Sequence, residues 1–563
     1  MNKSGRSFKI DDDGNDVKLL KKDIDSKSYN GKARDRASSR ASKRDVKETG
    51  YCGKRGGRND VKWYSKYPQM IKDSANLPFN SIAGLPVKVD LANKTSAGLL
   101  IPGIMRVDLF PTIGLGLNAD SNVNITAKKI YSFIRHANSG SANYESSDLM
   151  MYLIACGNIY AFISALERLY GCLRTYNERN RYWCKGFVQS LDVDLDDLVE
   201  HANDLRGLHN YLVAQMNSFA TPRQFSFFEK MFWIQSGVYG DSESEMAQLY
   251  YFHLTHYLRF SGTKVSTGSA LEPVRIAGSG VENKIRYTDL KQFGLDLINS
   301  FYNDEDIGIM SGDILKAYKD DIWKLGFIAE DYAVLPQFNE DVLWQIQNSI
   351  AYGDIRDIAE FPEATIDDLM NCGYVVQENN LIKSNPQFIV HRGEEEDYQL
   401  SDTQKINLTS MIQEFQPIFN SRKDRQSPDT NMEGTRLMAC ATGTEVNSDA
   451  TGAYRGWIYA SEVVCDVFVP TNYNIYRNVT GDALLAGIFH SFICEKDLNV
   501  TLTDFANLSQ FDWHPAIYVF ALPAGDIVNI RSVFEDLDMY TVLSKETLAN
   551  LHNIALFSEF SVD

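Results

Sequence analysis

Between Leu149 and Leu166 the chain is almost unbroken hydrocarbon and aromatic ring, and no other stretch restricts the fold so strongly. A run of this length suits two environments. It approaches the ~18–20 residues that cross a lipid bilayer, and it equally suits a helix enclosed on all sides by a large protein. Gly157, Asn158 and Ser164 interrupt the run, Glu167-Arg168 close it, and it stands alone. These residues predict a buried helix at the centre of a core. Ser146 and Ser147 are its expected N-caps, with Asp148 where the helix dipole favours a negative charge.

A core of that kind needs apolar material. Of the 563 residues 44% are hydrophobic, with 30 Phe, 29 Tyr and 7 Trp, enough for two or three substructures of roughly 100–200 residues each. The net charge of −18 conceals an asymmetry. Residues 1–70 hold 19 Lys and Arg against 10 Asp and Glu, whereas the remainder holds 37 against 64. The basic excess comprises Lys21, Lys22, Arg34, Arg36, Arg40, Lys43, Arg44, Lys47, Lys54, Arg55 and Arg58. Apolar residues are sparse there, so residues 1–62 cannot offset the entropy of ordering a backbone, roughly 1–2 kcal/mol per residue, and are expected to be disordered when alone. Such an arm suits a polyanion, because neutralised phosphates release counterions without sequence readout. A solubilising tail, or an arm that docks on the acidic body of a neighbouring subunit, fits the same residues. The acidic body carries no comparable basic stripe and repels nucleic acid over most of its surface.

The eight cysteines form no CxxC pair and read as buried thiols. Met1–Lys9 lead into Asp11-Asp12-Asp13 rather than an apolar run, so no signal peptide is expected and synthesis is placed in a reducing compartment. Sequons such as Asn124-Ile125-Thr126 and Asn507-Leu508-Ser509 are then chance matches.

Along the body, order is expected from Trp63-Tyr64, with a mainly helical pattern to about Phe260. Leu195, Leu198, Val199, Ala202 and Leu205 recur at helical spacing, and a further helix is expected from an N-cap at Ser311 through Ile314, Leu315, Tyr318, Ile322 and Leu325 to Gly326. Gly-, Ser- and Thr-rich residues 261–280 mark one boundary and the polar stretch 420–456 another. Residues 281–456 therefore read as a more exposed region inserted between 63–280 and 457–563. In the last part Val463–Val469 and Ile517–Leu522 read as strands, Gly481–Ile493 and Lys545–Phe557 as helices. The last helix is expected to place Leu548, Leu551 and Ala555 on one face. The fold class is mainly α with minor β, and no repeat is visible.

The search for chemistry returns little. There is no GxxxxGK[ST] loop and no GxSxG elbow, and Gly114-Leu115-Gly116 is only a fragment of a dinucleotide loop. His253 and His256 would share one face of a helix, but no acid accompanies them as in HExxH, so they read as buried or interface histidines. His201 and His209 read as helix-surface residues. Asp512-Trp513-His514-Pro515 fits a packed turn better than a catalytic dyad. No catalytic, metal or cofactor residue is assigned.

Several short stretches occur together in a particular order. They are Ile130–Gly140, Tyr144 with Asp148–Tyr152, Arg168-Leu169-Tyr170-Gly171, Asn180-Arg181-Tyr182, Asn210-Tyr211-Leu212, Tyr239-Gly240-Asp241 with Gln248-Leu249-Tyr250, and Phe511-Asp512-Trp513-His514-Pro515. In order and spacing they resemble capsid proteins of picobirnaviruses, from about Trp63 to the last hundred residues. The resemblance implies a mainly α-helical coat protein of a small non-enveloped double-stranded RNA virus, made in the host cytoplasm and carried in the virion. It implies a helical shell domain from 63–280 and 457–563 with a projecting domain from 281–456. The implied partners are a second copy in an intertwined dimer, viral RNA met by the basic arm, and the viral polymerase inside the shell. On the residues alone, a cellular nucleic-acid-binding scaffold and a carbohydrate-active enzyme remain alternatives.

Overall fold

A computed structural model describes residues 66–75, 86–89, 97–100, 103–140, 143–175, 182–244, 247–265, 268–351, 365–385, 387–390, 418–421, 427–446, 454–459, 462–468, 493–494, 511–521, 529–533 and 540–562. The chain divides into two units between Phe79 and Asn80. In the first unit Pro68 opens a short helix, α1 (Pro68–Ala75), at a position where its missing N–H costs nothing. Met70 and Ile71 on it, and Tyr67 just before it, lie exposed.

The second unit starts its core with β1 (Ile104–Pro111), buried along nearly its whole length. Then α2 (Asn122–Ala137) turns Val123, Ala127, Ile130 and Ile134 inward at three- and four-residue spacing. The central element is α3 (Ser146–Leu173), 28 residues of which 24 are buried, so it has no solvent face. The expectation of an enclosed helix is met, and the helix is longer than the apolar run suggested. Its entry differs from expectation. Glu145 is the N-cap residue, its N–H donating to Asp148 Oδ2 at 2.9 Å. Ser147 instead meets Gln377 Nε2 at 2.7 Å and Asn380 Oδ1 at 3.1 Å.

Three polar residues inside α3 meet partners that a bilayer would not supply. Asn158 Oδ1 accepts from the N–H of Leu258 at 3.1 Å, and Tyr152 and Tyr160 reach Ala220 O and Thr221 Oγ1 at 2.9 and 2.7 Å. Gly157 admits the Phe227 ring, which a Cβ would meet at 2.4 Å. Rings pack along the helix: Tyr160 edge-on to Trp323, centroids 4.7 Å apart, and Phe162 tilted against Phe293 at 5.2 Å.

Around α3 lie α4 (Tyr182–Ser190), α5 (Leu195–Glu200), α6 (Ala202–Met216) and α7 (Ser226–Ile234). The single helix expected through Leu195–Leu205 is two. Asp194 caps α5, and His201 sits at the junction with non-helical backbone. Leu198 and Leu205 are buried while Val199 is exposed.

Strand is more prominent than expected before Phe260. The strands β2 (Tyr239–Gly240), β3 (Leu249–Leu254), β4 (Tyr257–Val265) and β5 (Gly268–Val274) precede α8 (Tyr287–Tyr302) and α9 (Glu305–Tyr318). The start of α9 lies earlier than Ser311. Asp304 caps it, accepting from Asp306 N at 3.0 Å, whereas Ser311 lies mid-helix and its hydroxyl takes the N–H of Ala220 at 2.9 Å. The helix ends at Tyr318 because Lys319 turns to φ 53°, a left-handed conformation that stops helical bonding. Beyond it come β6 (Gln337–Phe338), α10 (Glu340–Asn348), β7 (Val375–Glu378), β8 (Leu381–Lys383), β9 (Glu462–Phe468) and α11 (Lys545–Glu559).

Two sheets flank the helices, in orders β9-β1-β3-β2-β6 and β8-β7-β5-β4. In the first, β1 and β3 run parallel from Ile104 opposite Leu249 to Leu109 opposite Leu254, and β9 runs antiparallel to β1. In the second, β7 pairs with β5, joining residues 375–376 to 270–271. Leu290, Leu297, Ile298, Phe301, Ile307, Met310 and Ile314 of α8 and α9 share one core with α3. The strands expected near 463–469 and 517–522 appear as β9 and Ala516–Ala521. The helix expected at 481–493 lies outside the described residues, apart from Ile493, which is in a strand. On α11 the buried side chains are Leu548, His552 and Leu556, a strict four-residue spacing, with Leu551 and Ala555 only half-buried. Cys156, Cys172 and Cys372 are buried thiols and Cys184 is half-buried.

Replacing Leu153 or Phe162 with Asp strands an unpaired charge in this core and is expected to abolish soluble protein. A milder pair grades the effect. Gly157→Ala should lower stability by about 1–3 kcal/mol through overpacking, while Gly207→Ala, with open space at its Cβ, should raise it by about 0.4–1 kcal/mol. Thermal unfolding of the two variants reads both signs.

Candidate functional site

Lys21, Lys22, Arg34, Arg36, Arg40, Lys43, Arg44, Lys47, Lys54, Arg55 and Arg58, the residues expected to meet nucleic acid, lie outside the described residues. The histidine pairs do not form sites. His253 is on a strand, not a helix, and its Nδ1 lies 2.9 Å from Asp108 Oδ1. His256, two residues past the end of that strand, is buried against the Phe110 ring at 5.1 Å. His201 stacks on Tyr287 at 5.1 Å. His209 corrects the surface reading: it is fully buried, because α6 turns that side toward α3. Asp512 is exposed, and His514 is buried with Nδ1 2.9 Å from Pro515 O, within a turn. Among the described residues no group of three or more His, Cys, Asp or Glu is arranged to hold a metal.

What the structure brings together is a set of buried charges that tie distant segments. On β1, Arg106 grips Asp108, Nε to Oδ1 at 2.7 Å and Nη2 to Oδ2 at 2.8 Å, and donates to Ser190 O at the end of α4. Burial alone would push the Asp108 carboxyl up. Arg106 and the His253 hydrogen bond outweigh burial and hold it below the ordinary carboxylate value. Arg168 of α3 is wholly buried. It donates to Gln235 Oε1 at 2.8 Å and Gly237 O at 3.2 Å, and lies over the rings of Tyr251 and Phe187 at 4.9 and 5.5 Å.

The third group joins three parts of the chain. Lys230 Nζ of α7 lies 2.7 Å from Glu462 Oε1 at the head of β9 and 2.8 Å from Glu559 Oε1 near the end of α11. Burial pushes Glu559 up while Lys230 works against it, and the two carboxylates outweigh burial in raising Lys230. No sequence signal points to this group, since residues 230, 462 and 559 carry no local motif. The surface carries isolated apolar side chains. Phe133 of α2 (50% exposed) has its ring 5.2 Å from Tyr318, one turn beyond Leu315 of α9 (52% exposed). Buried ion frames, scattered thiols and apolar side chains left on an acidic body are the parts of a structural building block.

Comparison with known proteins agrees with that class. The family model described as picobirnavirus capsid protein matches residues 63–460. The capsid protein precursor of human picobirnavirus, strain Human/Thailand/Hy005102/-, is 29% identical over 97% of this chain and 98% of its own length. A crystal structure titled as that of the picobirnavirus capsid superposes with a TM-score of 0.70 at 23% identity, covering 89% of this chain and 98% of that one. The chain belongs to the picobirnavirus capsid protein family, in agreement with its ordered short motifs. Its role is structural, in the virion.

Two experiments test the buried charges. Lys230→Met leaves two carboxylates without their cation, and is expected to cost roughly 3 kcal/mol. Adding Glu559→Gln should restore part of that in urea unfolding. His552 is pushed down to about 3 from 6.5, by burial first and Arg436 second. The unfolded chain therefore takes up that proton at higher pH, and stability that is full above about 6.5 is lost as pH falls toward about 3. Wild type should lose more stability between pH 7 and pH 5 than His552→Gln.

Proposed function

We propose that the chain forms homodimers that assemble into the icosahedral shell of a non-enveloped double-stranded RNA virus. Synthesis is in the host cytoplasm, the basic arm contacts packaged RNA, and the viral polymerase is enclosed. The observation that carries this reading is the family match through most of the body. The likeness in fold to a picobirnavirus capsid, over 89% of the chain, supports it.

The charge distribution supports the division of labour. Acidic groups dominate beyond residue 70 and basic ones before it, so the arm can hold phosphate by counterion release while the body repels it. We retain 281–456 as the projecting region, rooted in the body through α8, α9 and β7. Phe133 and Leu315 are assigned to copy–copy contact. An exposed apolar pair gains by being covered, and obligate interfaces resemble cores.

Expression of the full chain, followed by negative-stain microscopy and the 260/280 nm absorbance ratio of sedimenting fractions, tests the whole reading. Closed uniform particles rich in nucleic acid are expected, and a dispersed monomer across salt and pH would refute assembly. Deleting residues 1–60 should leave particles that carry much less RNA. Phe133→Asp with Leu315→Asp should leave a folded protein that no longer sediments as particles.

A further inference from the structure

One helix of the body leaves a face without a partner. The inner side of α9 carries Ile307, Met310 and Ile314 into the shared core. Its outer side carries Glu305, Gly308, Ile309, Gly312, Leu315 and Lys316, with Ile309 40% and Leu315 52% exposed. Glu305, Ile309, Gly312 and Lys316 follow one another at four, three and four residues, so they form a single stripe along the helix. Phe133 and the Tyr318 ring, 5.2 Å apart, extend the apolar ground one turn beyond Leu315.

The glycines of this face have no internal reason. Gly157 and Gly294, in other helices, make room for core side chains: a Cβ would meet Phe227 at 2.4 Å on the first, and Leu212 and Phe162 at 2.9 Å on the second. At Gly308 and Gly312 a Cβ would meet nothing within 4 Å, although glycine weakens a helix relative to alanine. The charges of α9 are divided between its ends. At the start, Glu305 and Asp306 form no ion pair among the described residues. Burial first, then Asp304, Asp148 and Glu305, raise the Asp306 carboxyl above its ordinary value. At the far end Lys316 is 73% exposed and reaches Asp313 loosely, at 3.7 Å. Asp313 does not depend on it, because Tyr144 donates to that carboxylate at 2.9 Å and Arg135 lies 3.5 Å away.

We propose that α9 packs antiparallel against α9 of a second copy across a twofold axis. The register that sets Glu305 opposite Lys316 of the partner subunit also sets Ile309 opposite Gly312 of the partner subunit, because both pairs share one midpoint. Each contact therefore occurs twice, as an isologous interface requires. The isoleucine enters the space that the facing glycine leaves, and the two backbones can approach closely there. Leu315 and Phe133 flank the seam and are removed from water. An unrelated partner would have to match an acidic end, an apolar middle and a lysine end, whereas a reversed copy of the same helix does so by symmetry. The proposal rests on the reading that copies of the chain associate, and it names the helix through which they do.

Sedimentation of full-length variants over a concentration series tests the seam. Glu305→Lys alone and Lys316→Glu alone set like charges together at both symmetric contacts, and each should weaken association at least about tenfold. The two combined restore opposite charges and should bring association back to within about threefold of wild type. Gly312→Ala should raise the thermal midpoint, since alanine is the better helix former, yet weaken association at least about tenfold by filling the space Ile309 enters. A glycine that merely faces solvent gives the first effect without the second. Suppose wild type assembles. If the combined charge variant is then as weak as either single one, or Gly312→Ala assembles normally, the pairing is overturned and the shell reading stands. A wild type that stays monomeric refutes the shell reading and the pairing together.

Discussion

Everything in the second unit depends on enclosing α3. A helix about 42 Å long at 1.5 Å per residue, with 24 of 28 residues buried, has no side on which to meet water. The hydrophobic effect therefore demands neighbours all round it, and the chain supplies them from 104–111, 122–137, 202–234, 249–260, 270–274 and 287–318. Once these are recruited, polar atoms on α3 are cut off from water and gain from partners within the protein. Asn158, Tyr152 and Tyr160 satisfy theirs on the backbone or side chains of Leu258, Ala220 and Thr221. Asn158 and Gly157, which weaken the run as a membrane span, thus also fix what lies beside it: Leu258 for one and the Phe227 ring for the other.

A second device recurs around this core. Asparagine side chains carry the same C=O and N–H pair as a peptide, and four of them here pair with both backbone groups of a passing residue. Asn124 holds Ile382 at 2.7 and 3.0 Å, and Asn210 and Asn217 hold Ile328 and Leu325. Asn348 holds Asn420 at 2.7 and 3.3 Å. Two of them tie the irregular backbone at Leu325 and Ile328, and two tie strand residues, Ile382 and Asn420, to helices, so these backbone groups are paired across the fold. In a coat protein, whose function requires a body that keeps its shape in contact with many copies, such ties and the Lys230 cluster make distant chain segments act as one body.

Much of this architecture is legible in the order of residues. The length and composition of 149–166 announce an enclosed helix, short β-like runs announce the strands at 462–468 and 516–521, and ordered short motifs announce the family. Where expectation and structure part, the cause is shared: a tertiary contact outbids a local preference. Ser311 resembles a cap, but Asp304 is the better one because its carboxylate reaches two N–H groups, and Ser311 is occupied by Ala220. Spacing suggests 548, 551 and 555 as the inner face of α11, whereas packing selects 548, 552 and 556, a rotation that propensity does not determine.

The sequence by itself determined that α3 is interior, that charge is split between arm and body, and that the chain belongs among picobirnavirus capsid proteins. These follow from composition, local spacing and motif order, which are properties of short stretches. Only the tertiary structure decided that Lys230 meets Glu462 and Glu559 and that His209 is buried beside Glu167. Those contacts join residues up to 329 positions apart. Their energies come from burial and hydrogen-bond direction, which exist only once the chain has closed on itself.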